Sequence, residues 1–132
     1  MTTRFLIQKR FLSLLPRMDA IASVKIDPEG VFKYIQISLQ SGDAKKVVIR
    51  GDGTCEYHAD ILDKVTDGEF GRDRTITASC LGGGRIRHDP AAKSILVYGY
   101  SVGFGRADHT ATVRLLKEQY PAYKIDYSND GY

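Results

Sequence analysis

The chain has 132 residues, a hydrophobic fraction of 42%, a charged fraction of 27% and a formal net charge of +3. That length suits one domain with a real core, the composition is that of a soluble globular protein, and no apolar run nears the roughly 20 residues that span a bilayer. The positive charge is local: residues 1–17 hold Arg4, Lys9, Arg10 and Arg17 and no acid, and the rest sets 15 basic against 16 acidic residues. Such a body lacks the broad basic field of a nucleic-acid binder, so neither nucleic acid nor membrane is an expected partner. Two cysteines, Cys55 and Cys80, make neither a disulfide framework nor a four-ligand metal site. Free thiols in a reducing compartment, the cytoplasm, follow as the expectation.

Residues 1–22 read as a basic N-terminal extension. The acid-free stretch 1–17 fits either a solvated leader upstream of Met18 or a mitochondrial transit peptide. Lys9-Arg10 splits its apolar run and argues against a secretory signal.

Ser23–Ile26 is a short strand candidate, ended by the turn Asp27-Pro28-Glu29-Gly30. Val31–Leu39 follows as a strong strand. Its alternation puts Val31, Lys33, Ile35, Ile37 and Leu39 on one face and Phe32, Tyr34, Gln36 and Ser38 on the other. Lys33 stands out as a charge in register with apolar neighbours; pattern alone reads it as a lysine that snorkels to water. Gln40–Ala44 is a polar turn, and Lys45–Arg50 completes a hairpin.

After Gly51-Asp52-Gly53 a short helix is expected to run to about Val65, with His58, Ile61, Leu62 and Val65 on one face. His58 then sits where unpaired N–H groups and partial positive charge favour an anion. Residues 66–74, charged and glycine-punctuated, read as a surface loop. Thr75–Leu81 is another strand candidate. The Gly82-Gly83-Gly84 run beyond it fits a hairpin turn, a bulge or a close backbone approach to a ligand. Ser94–Tyr100 is apolar on both faces, as in a central strand. A second helix begins near His109 with Asp108 as N-cap, carries His109, Val113, Leu116 and Tyr120 on one stripe, and stops at Pro121. Tyr123–Tyr127 is the last strand candidate. Hairpins mixed with strand–helix connections predict one α+β domain over residues 23–132, with a mixed sheet of about six strands and two helices.

Among the histidines, His109 shares a core face and reads as structural. His88 precedes Asp89-Pro90 and is expected at the surface or behind a site. His58 has the placement of a catalytic group. No pair of His, Cys, Asp or Glu shows familiar metal-ligand spacing, so no metal site is expected. The loop Ser101–Gly105 between a strand and a helix offers backbone N–H groups to an anion. Cys80 to Arg85 mimics a cysteine-phosphatase loop but is one residue too short, with only Leu81, Gly82, Gly83 and Gly84 between them. Cys80 therefore reads as a buried strand residue.

Five stretches in order, Gly30-Val31-Phe32-Lys33-Tyr34, Tyr57-His58-Ala59-Asp60-Ile61, Cys80-Leu81-Gly82-Gly83-Gly84-Arg85-Ile86, Tyr98-Gly99-Tyr100-Ser101 and Asn129-Asp130-Gly131-Tyr132, resemble the small phosphohistidine phosphatases. That family includes the insect Janus and Ocnus proteins, whose basic extension the region before Met18 also resembles. The resemblance implies a metal-independent enzyme that removes phosphate from phosphohistidine in a protein substrate, with no cofactor expected; the sequence carries no clear oligomer signal, so a monomer is the default expectation. It implies His58 as proton acceptor, Lys33 as a phosphate-binding cation in place of a snorkelling lysine, and Ser101, Val102 and Gly103 as substrate-binding residues. The N–H of Ala59 joins them as a neighbour of His58. Arg50 and Arg85 stay outside this set, since each could assist electrostatically or pair with surface acids. The insect branch also implies a part in sexual differentiation. The alternative function is a non-catalytic phosphoprotein-binding regulator that keeps the phosphate site.

Overall fold

The computed structural model describes residues 18–71 and 73–132; the expectations for residues 1–17 lie outside the described residues. Six strands form one mixed sheet: β1 (Val24–Lys25), β2 (Gly30–Ser41), β3 (Ala44–Gly51), β4 (Thr77–Asp89), β5 (Ser94–Tyr98) and β6 (Lys124–Tyr127). Their spatial order is β1-β3-β2-β4-β5-β6. The outer pairs β1–β3 and β5–β6 are parallel and the inner pairs antiparallel. Helix α1 (His58–Lys64) continues into a π-helical segment (Val65–Phe70), and α2 is His109–Gln119. The expected α+β class and six-stranded mixed sheet are the ones observed.

The sheet has two covered faces because β2 is apolar on both. Phe32 and Tyr34 join Ile49, Ile86, Val97, Val113 and Leu116 in the core under α2. Ile35, Ile37 and Leu39 join Val48, Ile61, Val65 and Phe70 in the core under α1. Each fully buried aliphatic side chain of this kind contributes about 1.5–3 kcal/mol of hydrophobic free energy. Met18 is also buried in the α1-side core, and Lys46 Nζ donates to its carbonyl at 3.0 Å.

The helices form where their chemistry directs. Asp108 caps α2 through its carboxylate, which accepts from the N–H of Thr110 at 3.1 Å and of Ala111 at 3.4 Å. Asp60 accepts the N–H of Tyr57 at 3.0 Å at the start of α1. The stretch expected as a loop from residue 66 is helical as far as Phe70. Phe70 supplies the reason: it is buried with Val65 in the core under α1, an anchor that glycines and charges along the segment hide from pattern reading.

A second correction concerns the strand expected to end at Leu81; of the readings left open for the three glycines beyond it, the hairpin turn is excluded and a bulge is present. Thr77–Asp89 is one continuous strand that runs through them. A bulge lies at Leu81, since Gln36 pairs with Gly82 and Ile37 with Cys80. A third concerns His88, which is buried. Its Nδ1–H donates to the Asp27 carbonyl at 2.8 Å, so its Nε2 accepts from the Tyr123 hydroxyl at 3.1 Å.

Candidate active site

The site is built around β4. Gly83 and Gly84 point to opposite faces of the sheet, and a histidine ring rests on each. An ideal Cβ on Gly83 would lie 2.7 Å from Cδ2 of His58, and one on Gly84 would lie 2.7 Å from Cε1 of His109. Any side chain there would displace a ring, so the close approach that the glycines permit is to the protein's own histidines.

His58 opens α1 and is buried. Its Nε2 lies 2.9 Å from the Gly84 carbonyl. A carbonyl only accepts, so Nε2 carries the proton and Nδ1 carries the lone pair. The Cδ2–Nε2 edge faces the glycines, which turns Nδ1 away from the strand. Among the described residues Nδ1 has no protein partner. Burial holds the His58 pKa below its ordinary value; the charges of Lys33 and Arg85 lower it further, against the bond to Gly84, which raises it. His58 is therefore a neutral imidazole at pH 7 with a free base nitrogen.

Lys33 lies on the α1 face of β2, as its alternation with Ile35 requires. Its Nζ donates to the Glu56 carbonyl and sits 6.0 Å from the centroid of the Tyr57 ring. Directly across the sheet stands Arg85, the register partner of Lys33.

The remaining wall comes from the chain beyond β5. Gly99, at a φ of +72°, turns it out of the strand. The Ser101 loop closes on itself: Ser101 N–H donates to the Gly105 carbonyl at 3.1 Å and Gly105 N–H returns to the Ser101 carbonyl at 2.8 Å. Ser101 Oγ accepts from Phe104 N–H at 3.1 Å, which leaves its own proton free to donate. Gly83 N–H then bonds the Gly105 carbonyl at 3.0 Å, and Ala107 N–H bonds the Gly83 carbonyl at 3.0 Å. These bonds seat the loop beside the glycine under the His58 ring. Val102 is 83% exposed at the loop tip.

Together these elements enclose an open cleft of about 700 Å³ lined by Lys33, Tyr57, His58, Ala59, Ser101, Val102, Gly103, Phe104 and Tyr132. All six residues expected at the site, Lys33, His58, Ala59, Ser101, Val102 and Gly103, meet there. No lining side chain is acidic. The N–H groups of His58 and Ala59 open a helix and have no intrahelical acceptor, and those of Val102 and Gly103 have no protein acceptor among the described residues. A free imidazole nitrogen, a lysine and several free donors around one cleft without acidic side chains suit a small dianion such as a phosphoryl group.

Arg85 belongs with this group, although sequence reasoning set it aside with Arg50. It lines a smaller adjoining pocket of about 280 Å³ with Lys33, Glu56 and Cys55. Its Nε is buried without a hydrogen-bond partner, and among the described residues no acid pairs with it. Arg50 is the opposite case. It is buried, and Glu69 takes both its Nε at 3.0 Å and its Nη2 at 2.7 Å, so it ties β3 to the π-helical segment. What separates the two arginines is Glu69, which the π-helical segment brings to Arg50 and not to Arg85, and such a non-local approach is not visible in local pattern.

A thiolate nucleophile finds no support in the geometry. Cys80 lies in extended β4 and burial pushes its thiol pKa up, the reverse of a thiolate nucleophile. Among the described residues no group of three or more His, Cys, Asp or Glu is placed to hold a metal ion, and no helix is long and apolar enough to cross a membrane.

The chain is similar to several known proteins. Sex-regulated protein janus-A of Drosophila erecta is 46% identical over 135 aligned positions, which cover 98% of each chain. The janus-A protein of Drosophila yakuba is 47% identical over 116 positions, covering 87% of this chain and 84% of the relative. The 14 kDa phosphohistidine phosphatase of Sus scrofa is 45% identical over 120 positions, covering 85% of this chain and 93% of that protein. The family model of the Janus/Ocnus family (Ocnus) matches residues 18–124, a span that holds β1 to β5, both helices and the whole cleft except Tyr132. The chain thus belongs to the Janus/Ocnus family and is related to a phosphohistidine phosphatase.

Proposed function

We propose that this protein is a protein phosphohistidine phosphatase whose general base is Nδ1 of His58. The observation that carries the reading is the locked tautomer: Nε2–H is held by the Gly84 carbonyl, so the free nitrogen of a neutral imidazole borders a cleft lined by no acidic side chain. The kinship with the porcine phosphohistidine phosphatase supports the same chemistry.

In this mechanism the phosphoryl group of a phosphohistidine side chain enters the cleft. Lys33, Arg85, the Ser101 hydroxyl and the N–H groups of Ala59, Val102 and Gly103 take its oxygens. A water in line with the P–N bond gives its proton to His58 Nδ1 as its oxygen bonds to phosphorus. The P–N bond breaks, its electron pair leaves on the substrate imidazole, and that nitrogen takes a proton from solvent. Imidazole leaves readily, so no thiolate nucleophile is required. The low pKa of His58 keeps the base unprotonated at neutral pH.

The test is phosphate release from a phosphohistidine peptide, with chelator present, by the wild type and His58→Ala. General-base loss predicts a rate lower by roughly 10²–10⁴-fold. Equal rates would remove His58 from the mechanism. Acid-labile, base-stable label trapped on His58 would replace the base with a nucleophile. The sex-regulated relatives support a second reading, a phosphoprotein-binding developmental regulator. Phosphate binding with no release by the wild type would favour it.

A further inference from the structure

Arg85 poses a physical problem that the catalytic reading leaves unsolved. Its guanidinium has no acid partner among the described residues, and its Nε is buried without an acceptor. An arginine held by neither an ion pair nor a hydrogen bond at Nε samples many rotamers, and a mobile cation binds an anion poorly because binding must order it. One group does hold it. The ring of Tyr132 lies with its centroid 4.3 Å from Arg85 Cζ, within cation–π range.

Tyr132 is itself held in place. Its ring meets that of Tyr100 edge-on, with centroids 4.9 Å apart and planes at 80°. The backbone approach is close: an ideal Cβ on Gly99 would lie 2.8 Å from the Tyr132 carbonyl carbon, and the φ of +72° at Gly99 suits glycine. Behind it, Ser128 N–H donates to the Val97 carbonyl at 2.9 Å and Asp130 N–H to Ser128 Oγ at 3.1 Å. The segment after β6 is thereby led back across β5 to the cleft, where Tyr132 is a lining residue. Yet Tyr132 is 42% exposed and lies outside both cores, so it contributes little to folding.

We propose that Tyr132 is a positioning residue: by stacking on the Arg85 guanidinium it fixes that cation beside Lys33 and His58, and residues 128–132 complete the anion site. The proposal rests on the reading of the cleft as a phosphate site, but not on turnover. It acts through the face of the ring, so the hydroxyl is dispensable.

Binding of inorganic phosphate to the full chain, measured by calorimetric titration, tests it without requiring catalysis. Tyr132→Leu is expected to weaken phosphate about tenfold, and Tyr132→Phe to bind like the wild type. Arg85→Lys keeps the charge but loses planar stacking, so it is expected to match Tyr132→Leu. In an Arg85→Ala background, Tyr132→Leu is expected to add nothing. Additive losses in that double variant would overturn the proposal, as would wild-type affinity in Arg85→Lys, or a Phe variant as weak as Leu. A wild type that binds no phosphate would overturn it too. A wild type that binds phosphate and never hydrolyses phosphohistidine would sink the phosphatase reading alone.

Discussion

His58 and His109 sit back to back on adjacent glycines of one strand, and they differ in one nitrogen. Each is the first residue of a helix, each is buried, and each donates its Nε2–H to a backbone carbonyl, Gly84 for His58 and Gly99 for His109 at 2.8 Å. Burial lowers both pKa values. For His109 the second nitrogen is already used. Its Nδ1 lies 2.6 Å from the Tyr34 hydroxyl, which must donate to it. The Thr112 hydroxyl then donates to Tyr34 at 3.0 Å and accepts from Gln36 Nε2 at 3.1 Å. Every polar atom of this chain has one consistent role, which suits a buried network. For His58 the second nitrogen borders a cleft. The same residue, tautomer and strand therefore give a structural pin on one face and, on the other, a ring nitrogen free to accept a proton. By holding Gly99, the pin also fixes the turn that delivers the Ser101 loop to the cleft beside His58.

The largest test of this contrast is at the two histidines themselves. His58→Ala is expected to lower kcat for phosphohistidine peptide by roughly 10²–10⁴-fold and the melting temperature less than His109→Ala, which breaks two hydrogen bonds instead of one. A His109→Ala protein as stable as wild type would end the distinction. The glycines come next. Gly84→Ala puts a methyl 2.5 Å from the Tyr98 carbonyl and against His109, so unfolding in denaturant should show a loss of about 3 kcal/mol or more. Gly83→Ala pushes on the His58 ring from behind and should cost activity as well.

Tyr34→Phe leaves His109 Nδ1 without its donor and the Thr112 hydroxyl without its acceptor. A destabilisation of about 1–3 kcal/mol is expected, read by denaturant titration, and no effect at all would disprove the assigned proton order. The smallest effect concerns pH. A neutral base loses activity as pH falls through its pKa, and that of His58 lies below 6.5, so kcat/KM should hold its plateau below the ordinary histidine range. Lys33 is one of the cations that disfavour the imidazolium. Lys33→Gln should therefore raise the pKa of His58 and move the acid limb to higher pH by less than about one unit. A limb that stays put or moves down would remove Lys33 from the neighbourhood of the base. Stability follows the same sign: the unfolded chain takes up protons near pH 6.5 while both buried histidines resist, so stability should fall as pH drops below that value.

Much of this arrangement can be read locally. The alternation Lys33, Ile35, Ile37, Leu39 placed Lys33 on the face of α1, and the stripe His58, Ile61, Val65 turned His58 toward the sheet. Asp108 was recognisable as a cap because its carboxylate serves amides two and three residues away. What escaped was non-local. Phe70 hides a helical segment within a charged stretch because its burial depends on a core assembled from β2 and β3. His88 looked like a strand-end residue because its acceptor on Asp27 and its donor Tyr123 come from distant parts of the chain.

The glycines mark the division. Period-two and helical spacing determine which face each side chain takes, because they depend only on backbone geometry along one element. From them come the α+β class, both helices and the direction of Lys33 and His58. Tertiary pairing settled the rest: that Gly83 and Gly84 exist to admit two histidine rings, that Arg85 lies opposite Lys33 while Arg50 is consumed by Glu69, and that Tyr132 returns to the cleft. Those outcomes depend on strand register and on which atoms fill the space above a residue lacking a Cβ, and both are set by segments far apart in the chain.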